Sequence, residues 1–168
     1  MPLVLFRVSA AILALHGLSA SAASESDNTY GLDPCLAAAL SVHPGIVSRW
    51  EVEDGTGRGF AIELVAQNGT VWQLTCVPST AEVRGATRST GVRDYALLSG
   101  RAQIPEGTSR ESVRIYYPGR FIRMEYQLTW RGGAVYNYEV VTPDDRLANV
   151  EVDASSGRIV RTRSEARY

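Results

Sequence analysis

From Asp33 onward the spacing of apolar residues switches from helical to strand-like, and it does so twice. Leu36, Ala39, Leu40 and Val42 recur at helical intervals. Asp33 can cap that helix with Pro34 at its first position, where a missing N–H costs nothing. Pro44 disfavours helical geometry at His43 and ends the segment. Trp50 and Val52 then alternate with Arg49, Glu51 and Glu53, as in a half-buried strand. Beyond a turn at 55–59, Phe60, Ile62 and Leu64 share one face of a second strand. Asn68-Gly69 predicts a two-residue hairpin, both positions tolerating positive φ, and Val71 to Val77 return as a third strand before Pro78.

The second half repeats this order. Thr108 and Glu111 have capping-box spacing ahead of Val113, Ile115 and Tyr116. Ile122, Met124, Tyr126, Leu128 and Trp130 alternate with Arg123, Glu125, Gln127 and Thr129, and Arg131-Gly132-Gly133 turns the chain. Tyr136, Tyr138 and Val140 share one face of the next strand, Pro143-Asp144-Asp145 makes a loop, and Ala148, Val150 and Val152 share a face of the last. The aromatic residues Tyr116, Tyr117, Phe121, Tyr126, Trp130, Tyr136 and Tyr138 are expected in the core of this half.

The two halves are in register: His43-Pro44-Gly45 and Tyr117-Pro118-Gly119 lie 74 positions apart. The predicted fold class is α+β, as two tandem small repeats, each a helix followed by a three-stranded antiparallel sheet. Residues 33–84 and 105–162 make the repeats, and 85–104 a linker with room for one extra strand, near Tyr95-Ala96-Leu97-Leu98.

Ahead of the repeats, Arg7, the apolar run Val8 to Leu18 and the small residues Ala20 and Ala22 have the layout of a signal peptide over residues 1–22. The run falls short of the ~20 residues that span a bilayer, so a membrane anchor is the weaker reading. A lipoprotein would need Cys at the cleavage point, and the first cysteine is Cys35. The expected location is periplasmic or secreted, with no membrane span.

Export changes how the two cysteines read. An even count in an oxidising compartment favours a Cys35–Cys76 disulfide. A metal site is the weaker alternative, because the pair lacks CxxC spacing and His43 is the sole histidine after residue 22. The carboxylates Glu51, Glu53 and Asp54, and Asp144 with Asp145, are the candidate ligands for a hard cation such as calcium or a lanthanide. Their spacing matches no EF-hand loop, so a solvated face and turn formation are the preferred account. A formal charge of −1 gives no nucleic-acid footprint. No HExxH, GxSxG or phosphate-binding glycine loop is present. The sequence therefore offers no catalytic residues and calls for no cofactor.

The second half, with its helix, Pro-Gly, Tyr136-Asn137-Tyr138-Glu139-Val140-Val141 strand, Pro-Asp turn and closing Val150-Glu151-Val152-Asp153-Ala154-Ser155-Ser156-Gly157-Arg158-Ile159-Val160 segment, resembles the PepSY family. The first half resembles it less closely, since Val77 to Val83 lacks the Asp and the Gly of that closing segment. The resemblance implies a non-catalytic, exported binding or regulatory protein. A protein partner, with a protease as the leading class, is what the family implies. Periplasmic metal binding and a structural envelope role are the alternatives.

Overall fold

The computed structural model describes residues 31–53 and 58–166, so Ala20, Ala22 and Asp54 lie outside the described residues. The elements are α1 (Leu32–Val42), β1 (Gly45–Val52), β2 (Phe60–Ala66), β3 (Thr70–Val77), β4 (Glu82–Val92), α2 (Tyr95–Ser99), α3 (Glu106–Tyr116), β5 (Arg120–Leu128), β6 (Ala134–Val141), β7 (Arg146–Asp153) and β8 (Ile159–Ala166). All eight strands form a single antiparallel sheet in the order β4-β3-β2-β1-β5-β6-β7-β8. The expected α+β class holds, but the arrangement of two separate three-stranded repeats does not. Each half contributes a helix and four strands. Two of the eight strands, β4 and β8, sit at the sheet's outer edges. Part of the expected linker is therefore β4 and α2.

The halves meet at β1 and β5 through three pairs: Arg49 with Glu125, Trp50 with Met124, and Glu51 with Arg123. The apolar row runs straight across this seam. Leu74, Ile62, Trp50, Met124, Tyr138 and Val150 lie side by side on six consecutive strands, all at most 2% exposed. The helices cover this face. Three tyrosines pin the connection between the halves to it: Tyr126 donates its hydroxyl to Leu98 O (2.8 Å), Tyr136 to Ile104 O (2.9 Å) and Tyr138 to Glu106 O (3.1 Å). A buried tyrosine needs such an acceptor, because an unpaired hydroxyl would forfeit its hydration without return.

A polar cluster links the two main helices, with Arg110 buried, Glu106 largely buried and Asp33 at the surface. Arg110 of α3, 2% exposed, donates to the Asp33 carboxylate of α1 and lies 3.6 Å from Glu106. Trp50 Nε1 of β1 donates to Glu106 Oε1 at 3.3 Å. Burial lifts the Glu106 carboxyl above the usual carboxylate range, opposed by Arg110 and by the Trp50 indole. Burial also works against the Arg110 charge, but Glu106 and Asp33 outweigh it and hold the guanidinium ionised. Asp33 thus spends its carboxylate on Arg110 rather than on a helix cap. The cap position is Gly31, with φ of 83° and no side-chain cap bond.

Other local expectations shift for similar reasons. The N-cap of α3 is Pro105, which leaves Thr108 and Glu111 inside the helix. In the β2–β3 hairpin Gly69 has positive φ and Asn68 does not; Asn68 serves instead by accepting the Thr70 N–H (3.0 Å). Register shifts between Val47 and Arg49 in β1, and between Phe121 and Arg123 in β5, interrupt the strict alternation. Phe121 therefore reaches the core and Ile122 is only half-buried. Trp130, expected in the core, lies past the end of β5 and is 88% exposed, with Arg131 stacked over it; Tyr116 is also exposed.

The duplicated Pro-Gly has a steric cause. A Cβ on Gly45 would collide with the carbonyl oxygen of Val65, and one on Gly119 with that of Val141. In each half the first strand starts against the backbone at the far end of the second, so only glycine fits. Gly45→Ala and Gly119→Ala should each lower stability by about 2 kcal/mol. Gly91→Ala, whose new Cβ would come no closer than 3.7 Å to the Ser89 hydroxyl, should stay within about 0.5 kcal/mol of the parent in urea unfolding.

Candidate functional site

The face of the sheet away from the helices is polar across all eight strands. One register row reads Thr87, Gln73, Glu63, Arg49, Glu125, Asn137, Glu151 and Arg161. The next reads Arg84, Thr75, Ala61, Glu51, Arg123, Glu139, Asn149 and Arg163. Period-two alternation produces this directly, since each strand that turns apolar residues to the helices turns its polar ones away.

The charges in these rows alternate in sign. Arg49 sits between Glu63 on one neighbouring strand and Glu125 on the other, and bonds Glu51 on its own strand. Its guanidinium is held above the usual range, chiefly by the Glu51 hydrogen bond, with burial opposing and Glu125 and Glu63 assisting. Arg123 lies 3.8 Å from Glu51 and 3.0 Å from Glu139, one on each side. The pattern ends at β8. Arg161 reaches Glu151 of β7 at 3.4 Å and, among the described residues, has no strand on its outer side. Two shallow depressions mark the face: about 340 Å³ over Arg49, Glu63 and Gln73, and about 450 Å³ over Asn137, Asn149, Arg161 and Arg163.

The sequence-predicted residues fall in different places. Cys35 and Cys76 form the expected disulfide, with Cα atoms 5.7 Å apart, tying the first turn of α1 to the end of β3. Glu51 lies at the seam, committed to Arg49 and Arg123. Glu53 accepts from Thr75 Oγ1 at 3.2 Å. Asp144 accepts from Thr142 Oγ1 at 2.6 Å in the β6–β7 loop, and Asp145 occupies a positive-φ position there (55°). The seam carboxylates and the loop carboxylates are not brought together. Among the described residues no group of three His, Cys, Asp or Glu side chains is placed to hold a metal ion. His43 stacks on Trp72, with ring centroids 3.8 Å apart. Sequence reading missed the outer arginines Arg161 and Arg163. Their alternation was visible, but that they end a sheet-wide row was not.

The turn into β8 is built by Asp153, whose Oδ1 accepts from the Ser155 and Ser156 backbone N–H groups (3.1 and 2.8 Å) and from both hydroxyls (2.6 and 2.8 Å). Gly157, at φ 71°, closes it. In the first half Ala81 takes the corresponding position between β3 and β4 at φ 53°, and Val77 stands where Asp153 does. The first half therefore lacks the Asp and the Gly that build this turn in the second.

A family model described as "Peptidase propeptide and YPEB domain" matches residues 110–163, from within α3 into β8. This segment matches the PepSY family. It holds the seam strand β5, the Asp153 turn and both outer arginines, while the first half is not matched. In structure the chain is similar to the crystal structure of a protein named as a "putative lipoprotein" from Clostridium difficile 630, with a TM-score of 0.55 and 11% identity, covering 84% of this chain and 97% of that one. The similarity therefore extends across both halves of the fold and leaves function open. No curated protein matches the chain.

Two outcomes follow. The Ser155 and Ser156 hydrogen bonds hold the Asp153 carboxyl below its usual value. A depressed folded pKa gives stability that is present above the unfolded value near ~4 and is lost as pH falls through the folded value. Asp153→Ala should therefore cost about 1 kcal/mol at pH 7, and the gap to the parent should narrow as the pH falls below ~4. Calcium or a lanthanide at micromolar concentration should leave the melting temperature unchanged. A saturable rise abolished by Asp54→Asn or Asp145→Asn would establish the cation site instead.

Proposed function

We propose that the protein is an exported, non-catalytic module that binds and regulates another protein, with a secreted or envelope protease as the leading partner class. The observation that carries this reading is the PepSY match over residues 110–163, a family of propeptide- and inhibitor-type domains. The signal-peptide pattern at 1–22, the disulfide and the lipoprotein name of the similar C. difficile protein all agree with a location outside the cytoplasm. Among the described residues no helix is long and apolar enough to cross a membrane. On this reading residues 33–84 with β4 are a diverged second copy of the same unit. The copies are joined so that every helix lies on one face, which leaves the other face and two strand edges for a partner.

The direct test is proteolysis. Purified mature protein, added to the secreted and envelope proteases of its native host, should produce saturable inhibition or altered processing, and deleting the gene should change the same activity. Unchanged proteolysis in both experiments would remove the protease from the proposal.

A further inference from the structure

The two outer edges of the sheet differ. β4 meets β3 through two register shifts, between Thr70 and Trp72 and between Gln73 and Thr75, which make a poor template for another strand. Its Arg84 is already paired with Glu82 on the same strand at 2.7 Å. β8 pairs with β7 in unbroken register from Arg161 to Ala166, and every residue from Val160 to Ala166 is exposed. Among the described residues no strand lies along its outer backbone, since it is the last in the sheet.

The charge rows indicate what this edge fits. Inside the sheet, Arg49 and Arg123 each lie between carboxylates on both neighbouring strands. Arg161 has Glu151 on its inner side and Arg163 has Asn149, and among the described residues neither has a strand beyond it. Among the described residues Arg163 has no ion pair, and Arg161 is 72% exposed. Two arginines at alternate positions of one edge strand point to the same face. A ninth strand with carboxylates two residues apart would continue both rows with the sign alternation already present at the seam.

We propose that β8 recruits an extended acidic segment of a partner protein as an added strand, with alternate Asp or Glu residues facing Arg161 and Arg163. Main-chain hydrogen bonds supply affinity, and the two carboxylates supply register and direction of preference. This rests on the binding reading above and gives it a surface and a partner chemistry.

The test uses the mature chain and synthetic octapeptides alternating Glu with Thr, against the same peptide with Lys for Glu. The acidic peptide should bind at least about tenfold more tightly and should slow amide exchange across 160–166. Arg161→Glu with Arg163→Glu should invert the preference, and Arg163→Gln alone should weaken it without inverting it. N-methylation of alternate peptide amides should abolish binding in one of the two phases, because only one phase faces β8. Equal binding of acidic and basic peptides, or binding without protection of β8, overturns the proposal. Protection of β8 that grows with protein concentration and needs no peptide would assign the edge to a second copy and overturn it too. Protease inhibition that persists in the charge-reversed variant would remove this edge while leaving the broader function standing. Peptide capture at β8 without any effect on proteolysis would do the reverse.

Discussion

Everything in this structure depends on the antiparallel pairing of β1 with β5. Three residue pairs join two four-stranded halves into one sheet, and the apolar row through Trp50 and Met124 becomes continuous only there. So short a seam needs support, which the helices provide. Asp33 of the first half meets Arg110 of the second, and Trp50 of the first meets Glu106 of the second. The Arg110–Glu106 pair is withdrawn from water, while Asp33 reaches Arg110 from the surface. A buried pair adds little net stability, but losing one partner leaves a buried charge at a cost of about 3–5 kcal/mol. The cluster therefore fixes which surfaces of the two helices meet more than it adds to the strength of the fold.

The seam also decides what is available for binding. With both helical layers on one side, the opposite face must be polar, because it has no second layer to bury it. Across the seam its charges pair and neutralise one another, which makes the centre a poor recruiter of charged partners. At β8 the pattern stops without a closing row. Electrostatic incompleteness is thus displaced from the middle of the sheet to one edge, and that edge belongs to the half carrying the PepSY match.

Much of this was legible in the residues. The strand periods located β1, β2, β3, β5, β6 and β7, the 74-residue offset set two similar orders of elements side by side, and an even cysteine count, with export expected, pointed to the disulfide. The seam was not legible, because pairing between strands so distant in sequence leaves no local mark. Without it, most of β4 read as a linker with room for one extra strand, and how the two halves pack stayed open. Asp33 misled for a related reason: it is a good capping residue, and only tertiary structure shows a buried arginine drawing it away. Trp130 fitted the alternation, but period alone does not say where a strand stops. The charge rows were half visible, as polar positions on each strand, while the order in which strands lie side by side sets which charges neighbour which.

The central claim is that the two halves are one folding unit joined at β1 and β5, and residue-resolved native-state hydrogen exchange measures this most directly. In mild denaturant the slowest amides of the β2–β1 and β5–β6 pairs should converge on one opening free energy equal to that of global unfolding. Two distinct plateaus, with one half opening while the other stays protected, would contradict the account.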